Sequence, residues 1–111
     1  MFNHQRLKCY ELAMELAKKV PSLTNTWPRG SYYLVDQLKR AISSVLLNIA
    51  EGNGRTFLKE RARFFAIARG SATEVASIME VAYALTIIEQ KTFEYFQSNI
   101  LQIVKILYKL R

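Results

Sequence analysis

Apolar residues recur at every third or fourth position along almost the whole chain, which is the period of an α-helix. No segment keeps up the alternation of apolar and polar residues that predicts a strand, and no hairpin dipeptide separates two apolar runs. Proline and glycine interrupt the pattern at residues 21–30 and 52–54, and a short polar turn lies near residue 90. The pattern predicts four helices, at about residues 6–23, 31–51, 57–88 and 92–110.

Four residues determine where these predicted helices begin and end. Pro21 should bend or end the first helix, because proline lacks a backbone donor and clashes with the preceding turn. Ser31 and Thr92 are predicted to cap the second and fourth helices, since a hydroxyl oxygen accepts a bond from a first-turn amide. Gly52 is predicted to take the left-handed conformation that ends many helices.

The helices differ in how clearly the sequence marks their buried faces. The second helix carries one apolar stripe, made of Leu34, Leu38, Ala41, Ile42, Val45 and Ile49. The first helix has a broader face, predicted to comprise Leu7, Tyr10, Met14, Ala17 and Val20, with Leu12 and Leu16 beside them. The fourth helix is apolar over much more than the stripe of roughly 100° that a surface helix needs.

These features predict an all-α protein that forms a single domain over residues 1–111. Four helices with short connections give an antiparallel up-and-down four-helix bundle. A bundle of this size cannot bury a helix that is apolar on two sides, and large exposed apolar patches usually mark an interface. We therefore expect self-association through the fourth helix, with a different protein partner as the alternative.

Composition narrows the class of protein further. Charged residues interrupt every apolar segment before it reaches membrane-spanning length, and residues 1–10 lack the apolar core of a signal peptide, so we expect a cytoplasmic location. One cysteine and one histidine exclude an internal disulfide and argue against a metal site, and no cofactor is expected. Cys9 is interpreted as a small buried hydrophobe rather than a reactive thiol, because no activating base or helix start is evident beside it.

The charge of the chain is strongly positive and unevenly distributed. The formal net charge is +7, and residues 29–69 hold eight basic residues against three acidic ones. A concentrated positive field attracts polyanions. The basic residues interpreted as a nucleic-acid-binding surface are Lys39, Arg40, Arg55, Lys59, Arg61 and Arg63, and the alternative is a solvated helix end. The aromatic residues around them, which we assign to packing, are Tyr32, Tyr33, Phe57, Phe64 and Phe65.

Two motifs in the second and third helices resemble those of a known family. Residues 37–41 read QLKRA and residues 48–55 read NIAEGNGR, which are similar to a Q-x-x-R-A…N-I-A-E-G-x-G-R motif. Residues 64–71 read FFAIARGS and are followed by Glu74, similar to F-x-x-I-A-R-G-S-x-x-E. The chain thus resembles the four-helix-bundle proteins encoded in intervening sequences of bacterial 23S ribosomal RNA genes, although leucine replaces the family's usual proline at position 46 or 47.

The resemblance implies more than the residues alone. It implies a homopentamer of antiparallel bundles around a central channel, in a family without an established activity. The architecture is similar to that of the accessory variability protein of diversity-generating retroelements. That protein is basic, associates with a reverse transcriptase and binds nucleic acid, so RNA, DNA and such a protein are the expected partners.

The polar residues of the two motifs are interpreted as structural. They are Asn48, Glu51, Gly52, Arg55, Arg69, Gly70, Ser71 and Glu74. Pairs of arginine and glutamate are predicted to join the second and third helices, because a guanidinium forms two-pronged bonds with a carboxylate. Gly70 is predicted to allow another helix to approach closely.

No arrangement of residues indicates catalysis. The serines have no histidine to act as a base, and the glutamates have no helical histidine with which to hold two metal ions. Residues 52–55 lack the spacing of a phosphate-binding loop. We therefore expect a non-catalytic homo-oligomer that binds RNA or DNA, with a protein-interaction scaffold of a mobile element or intervening sequence as the alternative.

Overall fold

The computed structural model describes residues 2–110, which form four α-helices and two short 3₁₀ helices and include no strand. The 3₁₀ helices span Asn3–Arg6 and Arg29–Ser31. The α-helices are α1 (Lys8–Thr24), α2 (Tyr32–Gly54), α3 (Leu58–Ala84) and α4 (Gln90–Leu110). Together they form one elongated body of 44 × 22 × 19 Å. None of the helices described is long and apolar enough to cross a membrane.

Each helix packs against the next in the chain, and α1 also packs against α4. Within residues 2–110, the backbones of α1 and α3, and those of α2 and α4, stay more than 8 Å apart between Cα atoms. The pair α2 and α3 shares the most extensive contact. The four helices therefore enclose one continuous apolar core, to which Trp27 in the first loop also contributes.

The core confirms the predicted stripe of α2 and corrects that of α1. All six predicted residues of α2 are buried. The buried residues of α1 are Cys9, Leu12, Ala13, Leu16, Val20 and Thr24. Tyr10, Met14 and Ala17 are only half-buried, so the predicted centre of this face was wrong. Helical periodicity did not decide between these two adjoining apolar faces, because the choice depends on where α2 and α4 lie.

The ends of α1 and α2 differ from the prediction. Pro21 lies inside α1, which continues for three more residues. Ser31 stands at the N-cap position of α2, but its side chain makes no capping hydrogen bond. Gly52 lies inside α2 and does not have a positive φ, so the predicted left-handed cap was wrong.

The connection between α3 and α4 is longer than expected and spans residues 85–89 instead of 89–91. α3 ends at Ala84, because Thr86 takes a left-handed conformation (φ 62°) and the amide of Ile87 donates to the carbonyl of Ala82 (2.8 Å). Ile88 is buried after this turn, and α4 begins at Gln90, two residues before the predicted cap at Thr92.

Gly52 has a packing role that explains why it lies inside a helix. A Cβ atom at this position would lie 2.7 Å from Cε1 and 2.9 Å from Cδ1 of Phe65, and 3.1 Å from Cβ of Phe64. Phe65 is fully buried. The missing side chain therefore allows α3 to approach α2 closely at this level.

We predict that Gly52→Ala lowers the free energy of unfolding by about 2 kcal/mol, because the added methyl group forces a buried ring to move. Urea denaturation of wild type and variant measures the difference. Gly54→Ala is the matched control, since nothing lies within 4 Å of a Cβ at that position. Equal stability of the two variants would contradict the proposed close contact.

Candidate nucleic-acid interface

Arg61 stabilises the turn that joins α2 to α3. Its Nη1 atom donates to the carbonyl of Asn53 (3.0 Å) and to the carbonyl of Arg55 (3.3 Å). The last carbonyls of a helix have no donor within the helix, so a side chain that reaches back to them stabilises its end. Its guanidinium also lies 5.5 Å from the ring centre of Phe65. Arg61 was predicted to bind phosphate, and the structure gives it this backbone role.

Two further guanidinium groups lie against the next aromatic ring. Arg55 and Arg63 are 4.9 Å and 5.0 Å from the ring centre of Phe64. Cation–π contacts of this kind favour particular positions for the charged groups. The α2–α3 turn thus holds Arg55, Arg61 and Arg63 on two aromatic side chains, while Lys59 lies exposed in the first turn of α3.

The predicted Arg–Glu pairs between α2 and α3 do not form. Among residues 2–110 the ion pair is between Arg55 and Glu51 (2.8 Å), one turn apart on the chain. Their side chains are 43% and 54% exposed, so the pair contributes less than about 1 kcal/mol. Glu74 is exposed and forms no ion pair with another described residue. Glu51 and Glu74 are exposed, and Arg55 contacts α3 through the ring of Phe64 instead of through a carboxylate.

Two hydroxyl groups form a further polar contact between α2 and α3, away from the turn. The hydroxyl oxygens of Ser44 and Ser71 are 2.6 Å apart. Nδ2 of Asn48 donates to the carbonyl (2.8 Å) and the hydroxyl (3.1 Å) of Ser44. Asn48 and Ser71 were predicted to be structural, but the link through Ser44 was missed. Its only sequence signal is that Ser44 precedes Asn48 by one helical turn.

Arg69 and Gly70 have different surroundings despite being neighbours. The guanidinium of Arg69 lies 4.2 Å from the ring centre of Tyr108 and so connects α3 to α4. Gly70 is exposed, and nothing lies within 4 Å of a Cβ built on it. The close approach of another helix predicted at Gly70 therefore does not occur within residues 2–110.

The predicted basic residues form two groups joined by a groove. Lys39 and Arg40 are exposed in the first half of α2, and Arg55 follows Arg40 by a helix length of about 22 Å. Two depressions of about 520 and 600 Å³ run along α2 between them, and both are lined by Leu47. The groove residues are Lys39, Arg40, Ser43, Ser44, Leu47, Asn48, Ala50, Glu51, Gly54 and Arg55.

The aromatic residues near the basic surface are only partly packed. Phe65 is buried and Phe64 is half-buried, as predicted. Tyr32, Tyr33 and Phe57 are exposed, so their assignment to packing was wrong. They lie at the starts of α2 and α3, where the period of a continuous helix does not indicate which way a side chain turns.

The remaining candidate chemistry is limited in the described part of the chain. Residues 2–110 contain no group of three His, Cys, Asp or Glu side chains that could hold a metal ion. Cys9 is fully buried, and burial raises the pKa of its thiol even though bonds to the backbone amides of Tyr10 and Cys9 act in the opposite direction. It lies in the first turn of α1, a helix start that sequence reasoning missed. The burial nevertheless agrees with an unreactive thiol.

The fold and this surface define a class: a small all-α protein of four helices with a basic groove along α2. The chain belongs to the family of 23S rRNA-intervening sequence proteins, whose family model matches residues 5–109. This match confirms the resemblance seen in the two sequence motifs. A comparison with curated proteins gave no match.

We predict that Arg61→Met lowers the free energy of unfolding by about 1 kcal/mol, because two backbone carbonyls lose a charged donor while the apolar stem is kept. Urea denaturation measures the change. Lys59→Met is the matched control, because Lys59 is exposed in the same turn, and its stability should stay within about 0.5 kcal/mol of wild type. If Arg61→Met has the same free energy of unfolding as wild type, the turn does not depend on these bonds.

Proposed function

We propose that the protein is a non-catalytic homo-oligomer of up-and-down four-helix bundles that binds RNA or DNA through phosphate contacts. The observation that carries the proposal is the groove along α2, which has exposed basic side chains at both ends.

The contacts between neighbouring helices support an antiparallel order. Gly52 of α2 meets Phe65 of α3, and the earlier residue Ser44 meets the later residue Ser71. From α3 to α4 the order is likewise reversed. The earlier residue Arg69 meets Tyr108, whereas the later residue Tyr83 stacks on Phe93 (4.6 Å). We infer the up-and-down arrangement from these reversed pairs together with the short connections.

Exposed apolar side chains support self-association. Leu101 and Tyr108 are more than half exposed on α4, and Ile67 is exposed on α3. Gly70 adds an open stretch of helix surface where another backbone has room to approach. Water-exposed apolar groups of this size are favourable to bury, so association of copies stabilises the protein. The resemblance to the family suggests five subunits.

The position of the basic side chains supports binding to a nucleic-acid backbone. The 22 Å between Arg40 and Arg55 corresponds to about six nucleotides of a stacked strand at 3.4 Å each. Lys59 and Arg63 extend the basic surface beyond the groove onto the start of α3. Arg and Lys side chains at phosphate spacing give affinity without reading sequence, and an oligomer multiplies the number of contacts.

We predict that reversing four of these charges weakens binding strongly and lowers its salt dependence. The variant carries Glu at Lys39, Arg40, Lys59 and Arg63, which are all exposed. Titration of labelled structured RNA and duplex DNA at about 50 and 200 mM salt should show binding that falls steeply with salt for wild type. For duplex DNA, the slope of the logarithm of the binding constant against the logarithm of salt concentration should be smaller in magnitude by about three for the variant.

The matched control carries Glu at Lys8, Lys18, Lys91 and Lys105, which are also exposed and give the same change in net charge. It should keep most of the affinity if the groove is the binding surface. If the two variants lose equal affinity, net charge and not the groove explains the loss. Wild-type binding that is absent at low salt would reject the nucleic-acid function and favour the protein-interaction scaffold, whose contact would be the exposed Leu47 in the groove.

We predict that Leu101→Glu reduces the mass of the particle measured by light scattering toward the 12.8 kDa of one chain. The reason is that Leu101 is 54% exposed on α4, and a buried carboxylate at an apolar interface is unfavourable. Gln102→Glu adds the same charge at the next exposed position and should leave the mass unchanged. An unaltered mass for both variants would place the subunit contact elsewhere than on this face of α4.

A further inference from the structure

Phe57 has the environment of a ligand-binding residue rather than that of a core residue. It occupies the N-cap position of α3 in an extended conformation, and its carbonyl accepts the amide of Arg61 (3.0 Å). The backbone of Phe57 is therefore fixed, but its side chain is 71% exposed. An aromatic side chain outside the core, on a backbone that is already ordered, offers apolar area at little cost in conformational entropy.

Cationic residues lie close to Phe57 along the chain. Arg55 precedes it by two residues and Lys59 follows it by two. The neighbouring ring of Phe64 already has Arg55 and Arg63 against it. Phe57, by contrast, makes no stacking or cation–π contact with a described residue. The α2–α3 turn thus presents one exposed aromatic ring in a stretch of chain that also carries the exposed residues Arg55, Lys59 and Arg63.

This combination matches one chemical class of ligand. An unpaired nucleobase has a flat apolar face that stacks on an aromatic ring, and the phosphates on either side of it require cations. In a uniform duplex the base faces are stacked on each other and do not meet the ring. We propose that Phe57 stacks on an unpaired base, so that the protein prefers single-stranded or looped nucleic acid to uniform duplex. This inference rests on the nucleic-acid function proposed above.

Two other occupants fit the turn less well. A second copy bound turn to turn would bring Arg55, Lys59 and Arg63 of both copies together, which like charges oppose. A lipid surface would use the neighbouring Leu58, which is 77% exposed, as much as Phe57. Stacking needs an aromatic ring and so depends on Phe57 alone. The test separates the three occupants on this basis.

The experiment measures binding of the full chain to a labelled 20-nucleotide single strand and to the same sequence as a duplex, at one fixed salt concentration. Phe57→Ala should weaken single-strand binding by about tenfold or more and leave duplex binding within about twofold. Phe57→Trp keeps an aromatic ring and should retain the single-strand binding that Phe57→Ala loses. Leu58→Ala removes a similar exposed apolar group and should bind both probes like wild type.

The fluorescence of Phe57→Trp identifies the occupant directly, with the wild-type signal of the buried Trp27 subtracted. Quenching by the single strand supports base stacking. A blue shift on vesicles of mixed neutral and anionic phospholipid, together with equal losses in Phe57→Ala and Leu58→Ala, would overturn the proposal in favour of a lipid surface. A lower particle mass for Phe57→Ala would overturn it in favour of contact between copies.

The failure of this inference is distinguishable from failure of the proposed function. If wild type binds both probes and Phe57→Ala reduces both equally or neither, base stacking is rejected and phosphate binding stands. If wild type binds neither probe at low salt, the nucleic-acid function is rejected, and stacking with it.

Discussion

The close approach of α3 to α2 at Gly52 is the constraint on which the rest of the structure depends. The absence of a side chain there lets the ring of Phe65 enter between the helices, and the hydroxyl contact between Ser44 and Ser71 continues the contact two turns away. Because protein interiors are close-packed, this contact fixes the distance between the two helices. It thereby fixes the short turn between them, and with the turn the position of its basic side chains.

The arginines of this turn have different tasks because their surroundings differ. Arg61 is bound to backbone carbonyls and holds the turn, whereas Arg55 and Arg63 rest on Phe64 with their charges near the surface. Lys59 is exposed. A flexible basic loop must lose conformational entropy when it binds, but arginines already positioned on an aromatic ring lose less of it. A single rigid turn thus combines its own stabilisation with a surface suited to polyanions.

The sequence contains the family motifs and predicted the general location of the basic surface. It did not predict the structural role of each residue. Glu51 and Arg55 suggested a link between helices, although helical spacing also allows the pair within one helix that the structure contains. The link through Ser44 had only its spacing from Asn48 as a sequence signal, because the bond to Ser71 depends on the position of α3. The exposure of Phe57 had none, because it lies at a helix start where helical periodicity does not indicate burial. The sequence pattern accordingly assigned the aromatic residues near the turn to packing.

The sequence by itself determined the all-α class, the number of helices and the buried stripe of α2, because these depend on periodicity and on local breaks in it. Only the tertiary structure decided which face of α1 is buried, since two adjoining faces are apolar and the neighbouring helices select one of them. It also decided the ends of the helices. Gly52 continues α2 because its lack of a side chain is needed for packing, and α3 ends early because the left-handed Thr86 turns the chain so that Ile88 reaches the core.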